Sequence, residues 1–330
     1  MCGDLVREPP YLTYSRYLKQ RHGCSVYRVA VDAGFSCPNR TGGRAAAGCS
    51  YCDADGSRAP YLTRNEPRFP VGCTGGLQVD AGSLQRQVNE SISFYRRTHG
   101  DGGYILFFQA YSNTNAQVEA LRRVYDTGLA LAPFLGLNVA TRPDCLDEEK
   151  ADLIASYKER GLEVWVELGL QSANDATLRR IGRGHTAADF ERAFDILRQR
   201  QLKIAVHLIF GLPGEGSDEI LGTMRRLARL RPDGVKIHNL HVPVGTVLAS
   251  EYQKGELVVP SPRRHIEYVI AAIEHLPPET VIMRLTCDTP AQRLAAPRNF
   301  WSKEKFLSCL EQEMRARGAR QGRLFGPGQQ

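Results

Sequence analysis

Six apolar runs, each followed by an amphipathic stretch, alternate through the first 240 residues, and no other feature restricts the fold as much. The runs are Val26–Ala33, Tyr104–Gln109, Leu135–Thr141, Glu163–Leu170, Lys203–Phe210 and Gly234–Leu240. Helical patterns between them cover Ser83–Thr98, Gln117–Leu131, Asp147–Arg160, several turns reaching Arg200, and Asp218–Leu230. Strand and helix in strict alternation predict a parallel sheet joined by right-handed crossovers. The expected α/β fold is a partial (β/α)6 barrel over residues 1–242, with a doubly wound open sheet as the other architecture; in both, ligands sit at the carboxyl ends of the strands. After Val242 the pattern changes. Pro260, Pro262, Pro277 and Pro278 punctuate a helix, a seventh apolar run spans Thr280–Leu285, and a last helix runs Ser302–Arg317. Residues 243–330 are therefore expected to form a C-terminal extension closing the barrel mouth. Its end, from Arg315, is rich in Arg, Gly and Gln and is expected to be a mobile basic tail.

Apolar residues make up 42% of the 330 and charged residues 24%, a globular balance. No run approaches the roughly 20 apolar residues of a membrane span. Met1–Pro10 lacks an apolar signal region and carries Asp4 and Glu8, so a cytoplasmic location with no membrane partner is expected. The net charge of +7 suits an anionic partner such as RNA, or simply a solvated basic tail. Nine cysteines, an odd number, in a long chain without an export signal argue against a disulfide framework.

Three of them cluster: Cys37, Cys49 and Cys52 share one loop just past the first strand, in residues 34–58. Three thiolates match an iron–sulfur cluster with one iron left open, since four cysteines would close it. Gly42, Gly43 and Gly48 permit tight wrapping of the backbone. Two other readings stay open: a structural zinc site with Cys24 or His22 as fourth ligand, and a redox Cys-x-x-Cys at Cys49–Cys52.

Elsewhere the period of two sorts side chains. In the fourth strand Trp165, Glu167, Gly169 and Gln171 share one face, and Val164, Val166, Leu168 and Leu170 the other. The aliphatic face should pack on helices and the polar face should line the interior. An interior Glu and Gln are costly unless they bind something. By the same rule His207 points inward from the fifth strand, and Lys236 and His238 share a face of the sixth. Ser112, Asn113 and Thr114, after the second strand, offer oxygens to a ligand or an N-cap to the next helix. Thr186–Asp189 reads as a capping box. Arg315, Arg317, Arg320 and Arg323 form either a solvated helix face or a phosphate-binding arm.

GFSCPNR (34–40), FQAYSNT (108–114), ATRPDCL (140–146), ELGLQSAND (167–175), RGHT (183–186), HLIFGLPGE (207–215), VKIHNLHV (235–242) and APRNFWS (295–302) give the chain a further identity. From Tyr11 to about Gly322 it resembles the radical S-adenosylmethionine (SAM) superfamily, in the YhcC/YtqA-like branch related to the elongator catalytic subunit. It departs from the common CxxxCxxC spacing, with eleven residues between Cys37 and Cys49, a gap typical of that branch, and has Thr41-Gly-Gly-Arg44 where an Asp is expected. The resemblance implies that Cys37, Cys49 and Cys52 bind a [4Fe-4S] cluster whose open iron chelates SAM. The reduced cluster then cleaves SAM to a 5′-deoxyadenosyl radical that abstracts hydrogen from a substrate. It implies SAM contacts from Tyr51 (by the adenine), Gln109, Ser112, Asn113, Glu167, Gln171, Arg183 and His207. It assigns no further catalytic residue. It also implies an electron donor such as flavodoxin or ferredoxin, and a role in tRNA wobble-uridine modification. The residues after Val242 are too few for an acetyltransferase domain, so an acetyl-CoA reaction is not expected. The alternatives are a radical SAM enzyme acting on a small molecule, and a non-enzymatic iron–sulfur or zinc RNA-binding protein.

Overall fold

The computed structural model describes residues 8–40, 48–53 and 80–326. Gly42, Gly43, Cys73 and residues 54–58 of the loop lie outside them. The elements, in order, are α1 (Tyr14–His22), β1 (Val26–Val31), α2 (Ala81–His99), β2 (Gly103–Phe108), α3 (Val118–Leu129), β3 (Phe134–Thr141), α4 (Glu148–Ser156), β4 (Glu163–Gln171), α5 (Asp175–Arg180), α6 (Ala187–Gln199), β5 (Lys203–Phe210), α7 (Ser217–Leu230), β6 (Gly234–Asn239), β7 (Val242–Pro243), α8 (Val247–Gln253), α9 (Pro262–His275), β8 (Val281–Arg284), β9 (Leu294–Ala296) and α10 (Lys303–Ala316).

Seven strands form one parallel sheet in the order β1-β2-β3-β4-β5-β6-β8, curved into a half-barrel with the helices outside. The seventh strand differs from the expected six. The apolar run at 280–285, assigned above to the extension, pairs with β6 instead, Gly234 with Val281 and Lys236 with Arg284. Edge pairing satisfies its backbone and buries Val281 and Ile282. The faces of β4 and β5 sort as the period of two requires. Val164, Val166, Leu168 and Leu170, with Ile204, Val206, Leu208 and Phe210, join the main core beneath the helices.

Helix α1, which the apolar pattern did not reveal, plugs the amino-terminal end of the barrel. Thr13 caps it by accepting from Arg16 N, and Gly23 ends it with φ +72°. It inserts Tyr14 and Leu18 among the inward-facing Ile105, Trp165, Ala205, Val281 and Met283. Beneath this plug Glu163 accepts from Tyr17 Oη (2.8 Å) and Trp165 Nε1 (2.6 Å) and meets His22 at 3.1 Å.

The tail is packed through residue 326, contrary to the mobile arm expected. Gln321 accepts from Leu12 N (2.8 Å) and donates to the carbonyls of Pro277 and Thr280 (2.7 Å each). Arg315 pairs with Glu311, Arg317 with Glu267 and Glu313, and Arg323 with Glu274. Three of the four arginines proposed as a phosphate arm are thus paired with carboxylates. Their segment packs near the amino ends of the strands, away from the cysteine loop. No helix among the described residues is long and apolar enough to cross a membrane.

Candidate active site

A cavity of about 490 Å³ opens at the carboxyl ends of the strands. Cys37, Cys49 and Cys52 all line it as free thiols. Each sits on a tight turn: Arg40 N donates to Cys37 O, and Cys52 N to Cys49 O. Ser50 ties the second turn down, donating from N to Ile181 O and accepting at O from Leu248 N. Cationic and amide donors surround the sulfurs. Asn39 Nδ2 lies 3.3 Å and Arg183 Nη1 3.8 Å from Cys49 Sγ, and Arg40 Nη2 lies 3.0 Å from Cys52 Sγ. Burial pushes the Cys49 thiol up, but Arg183 and Arg142 outweigh it and hold it below the ordinary value. Burial keeps Cys52 raised in spite of Arg40. N–H donors aimed at sulfur are what cluster-bound thiolates use to tune a centre.

The zinc reading fails on position. His22 and Cys24 precede β1 and Cys37 follows it, so a six-residue strand, about 20 Å of rise, separates them. His22 is engaged with Glu163 at the far end. Among the described residues no three His, Cys, Asp or Glu side chains converge as a single ion would need. Cys49 opens a turn rather than a helix, so the redox Cys-x-x-Cys reading lacks its helix.

Arg183 reaches the sulfurs because β4 yields space. Its Nη2 donates to Gly169 O at 2.7 Å, and a Cβ on Gly169 would stand 2.6 Å from that nitrogen. Two residues on, Gln171 has φ +74° at an irregularity in the β4–β5 register, a left-handed conformation that non-glycine residues rarely adopt.

Deeper in the barrel lies a charged floor. The buried Glu167 accepts from Arg28 Nη1 (2.9 Å), from Lys236 Nζ and from His207 Nε2 (2.7 Å). Burial would raise its pKa, but Lys236, His207 and Arg28 hold it well below the usual carboxylate range. Burial lowers His207 to about 4 and holds His238 well below the ordinary imidazole value, so both imidazoles are neutral at pH 7. Arg28 and Lys236 lie over the Phe107 ring, at 5.2 and 4.8 Å from its centroid.

Of the residues expected at the site, Tyr51, Gln109, Ser112, Glu167, Gln171, Arg183 and His207 line the cavity. Asn113 does not. Its amide nitrogen donates to the carbonyls of Phe108 and Ala140, where it links β2 to β3 instead of facing a ligand. Thr114 bonds Thr141 and Cys145 O, and Gln117 occupies the N-cap position of α3 without a side-chain capping bond, so none of Ser112, Asn113 and Thr114 is that helix's N-cap. Thr186 and Asp189 do form the capping box of α6. Glu167 faces the cavity with its carboxylate committed to three donors, a positioning role. Sequence reasoning missed Arg28, Arg142, Asn239 and Arg284, all cavity-lining. Arg28 and Arg284 follow from the period of two in β1 and β8; Arg142 stood inside the ATRPDCL motif.

Several buried polar atoms around the cavity lack partners among the described residues: Ser112 Oγ, Arg142 Nη1, Arg183 Nε, His238 Nε2, Asn239 Nδ2 and His241 Nε2. Buried polar atoms are ordinarily satisfied, and a ring of orphans about one cavity marks it as built for a polar ligand.

The family model described as "Radical SAM superfamily" matches residues 39–227, and that of the "Radical_SAM C-terminal domain" matches 232–316. YtqA of Bacillus subtilis is 35% identical over 320 residues, covering 96% of this chain and 94% of that protein. The tRNA uridine(34) acetyltransferase of Dehalococcoides mccartyi is 31% identical over 166 residues, 49% of this chain and 35% of that one. Among solved structures, the archaeal Elp3 of Methanocaldococcus infernus superposes with a TM-score of 0.63 at 21% identity, over 72% of this chain and 60% of that one. This last likeness concerns the fold.

Proposed function

The chain belongs to the radical SAM superfamily and is a radical SAM enzyme, and from that premise we propose that its barrel mouth holds a [4Fe-4S] cluster on Cys37, Cys49 and Cys52 with SAM beside it. The observation that carries the reading is the meeting of three free thiols, ringed by Asn39, Arg40 and Arg183, with a cavity whose buried polar atoms lack partners. These residues fit the group: three soft donors leave one iron open, and the neighbouring cations favour thiolates.

When bound, the cluster and SAM supply one electron and an organic radical able to take hydrogen from carbon; the protein supplies placement and exclusion of water. Arg183, fixed by Gly169 O, sits where it meets both Cys49 and a carboxylate or ribose of SAM. Gln109 and Ser112, past the end of β2, and Gln171, at the end of β4, offer hydrogen bonds, and Tyr51 offers its ring to the adenine. Asp53 and Arg293 (Oδ2–Nε 3.0 Å) pair across the mouth and join the cysteine turn to the segment before β9.

For the substrate, the reading is a wobble uridine of tRNA, with electrons from a flavodoxin or ferredoxin. The likeness over half the chain to a tRNA uridine(34) acetyltransferase and the net charge of +7 support it. A small-molecule substrate is the second reading, favoured by the enclosed, charged floor. Reconstituted enzyme with dithionite should release 5′-deoxyadenosine from SAM, and Arg183→Ala and Gln171→Ala should slow this while keeping the cluster. Wild-type rates in both variants would remove these residues from the SAM site. Nucleoside profiles of tRNA from a deletion strain decide between the substrates: an unaltered wobble-uridine pool excludes tRNA.

A further inference from the structure

We propose that the floor of the cavity is an anion-binding subsite, in which Arg284, backed by Arg28, Lys236 and His238, receives a carboxylate or phosphate on the buried end of the substrate. The inference rests on the reading that SAM occupies the mouth.

Charge at the floor is unbalanced. Arg28, Lys236 and Arg284 all face the cavity there, and Glu167 is the one carboxylate within ion-pair distance of any of them among the described residues. Glu167 is shared between Arg28 and Lys236. Arg284 has no hydrogen bond or ion pair among the described residues; Asp288 lies near enough to be felt but forms no contact with it. Burial, and after it the like charge of Arg28, lower its pKa against the pull of Glu167 and Asp288. A partly buried guanidinium without a partner is costly, and a bound anion removes the cost.

The donors converge. Lys236 and Arg284 are register partners on adjacent strands. His238, two residues along β6, is neutral and keeps a buried Nε2 without a partner. Arg28 comes from β1, at the other edge of the sheet, and is held in place by the rings of Tyr14 and Phe107. Below them α1 and Trp165 close the barrel.

This subsite is separate from the SAM carboxylate's place at the cysteines. Arg284 is in register with Gly169, the Arg183 contact, through Lys236 and His207, which puts it three strands across the sheet, about 14 Å along the barrel wall. A group received there, between the inner faces of β1, β6 and β8 and above the α1 plug, is a terminal one, so a phosphate within an RNA chain does not reach it. On the tRNA reading, uracil itself is neutral, and the charged end belongs to a substituent on the base or to a small second substrate.

The test is anaerobic thermal melting of the full-length, cluster-loaded enzyme with saturating SAM, titrated with malonate or inorganic phosphate against chloride at matched ionic strength. At tenfold over Kd an anion binding only the native state shifts the folding equilibrium about elevenfold, a Tm rise on the order of 2 °C. The proposal predicts that rise with at least one probe, and whichever probe binds tighter identifies the group as carboxylate or phosphate. Arg284→Met should weaken the anion at least tenfold and raise the Tm in chloride, since it removes an unpaired charge. Arg284→Gln and calorimetric titration of the wild-type holoenzyme give the same readout should the Met variant fold poorly. No anion-dependent shift in the wild type, or one that survives both substitutions, overturns the inference. If anion and SAM displace one another, the floor serves the SAM carboxylate and the inference fails while the SAM reading stands. Absence of SAM binding by equilibrium dialysis removes both.

Discussion

Glu167→Gln should be the most damaging isosteric change in this protein. The carboxylate is fully enclosed and takes hydrogen bonds from Arg28, Lys236 and His207, two of them cationic. The amide fits the same space, but its NH2 must face at least one of these donors, and the negative charge that compensates Arg28 and Lys236 is gone. Removing one partner from a buried ion pair costs about 3–5 kcal/mol. Urea denaturation of the cluster-free protein should therefore show an unfolding free energy lowered by that amount, read as a lower midpoint at unchanged slope. The companion variant Glu167→Gln/Lys236→Met removes one orphaned cation, so it should be more stable than the single variant by at least about 1 kcal/mol. A single variant within about 0.5 kcal/mol of wild type, or a double variant no better than the single, would refute the view that Glu167 holds the cationic floor together.

His265 should make the fold acid-sensitive. It is fully buried, its Nε2 2.9 Å from Leu285 O, and burial lowers its pKa to about 4. The unfolded chain takes the proton first, so its contribution is complete above pH 6.5 and is lost as pH falls from 6.5 to 4, by at most about 3 kcal/mol. His265→Gln should flatten the pH dependence of unfolding in that window, and an unchanged profile contradicts the assignment. Leu18→Ala, in the plug, should cost about 2–5 kcal/mol and leave iron uptake unchanged, because the plug closes the end opposite the cysteines; lost iron with wild-type stability would place α1 wrongly.

Much of this was legible because parallel strands carry their chemistry in a period of two. Polar residues on an otherwise apolar strand, Glu167, Gln171, His207, Lys236 and His238, pointed into the barrel, and the structure places them around one cavity. The same rule applied to Val26–Val31 and Val281–Arg284 gives Arg28 and Arg284, but a lone arginine on a short strand reads as solvent-facing until the neighbouring strands are known. Helix α1 escaped notice because only Tyr14 and Leu18, four residues apart, are buried on an otherwise polar helix. Asn113 was misread because a side chain that binds backbone carbonyls and one that binds a ligand look alike in sequence. The tail composition suggested disorder, whereas the carboxylates that neutralise it, Glu267 and Glu274, come from α9 some fifty residues earlier.

The central claim is that three cysteines at the barrel mouth build a four-iron centre, and metal analysis after anaerobic reconstitution tests it most directly. About four irons and four sulfides should bind per chain. Cys37→Ala, Cys49→Ala and Cys52→Ala should each lose them, and Cys145→Ala, whose buried thiol lies outside the loop, should keep them. Stoichiometric zinc with no iron, or a full cluster in any of the three loop variants, would contradict the account.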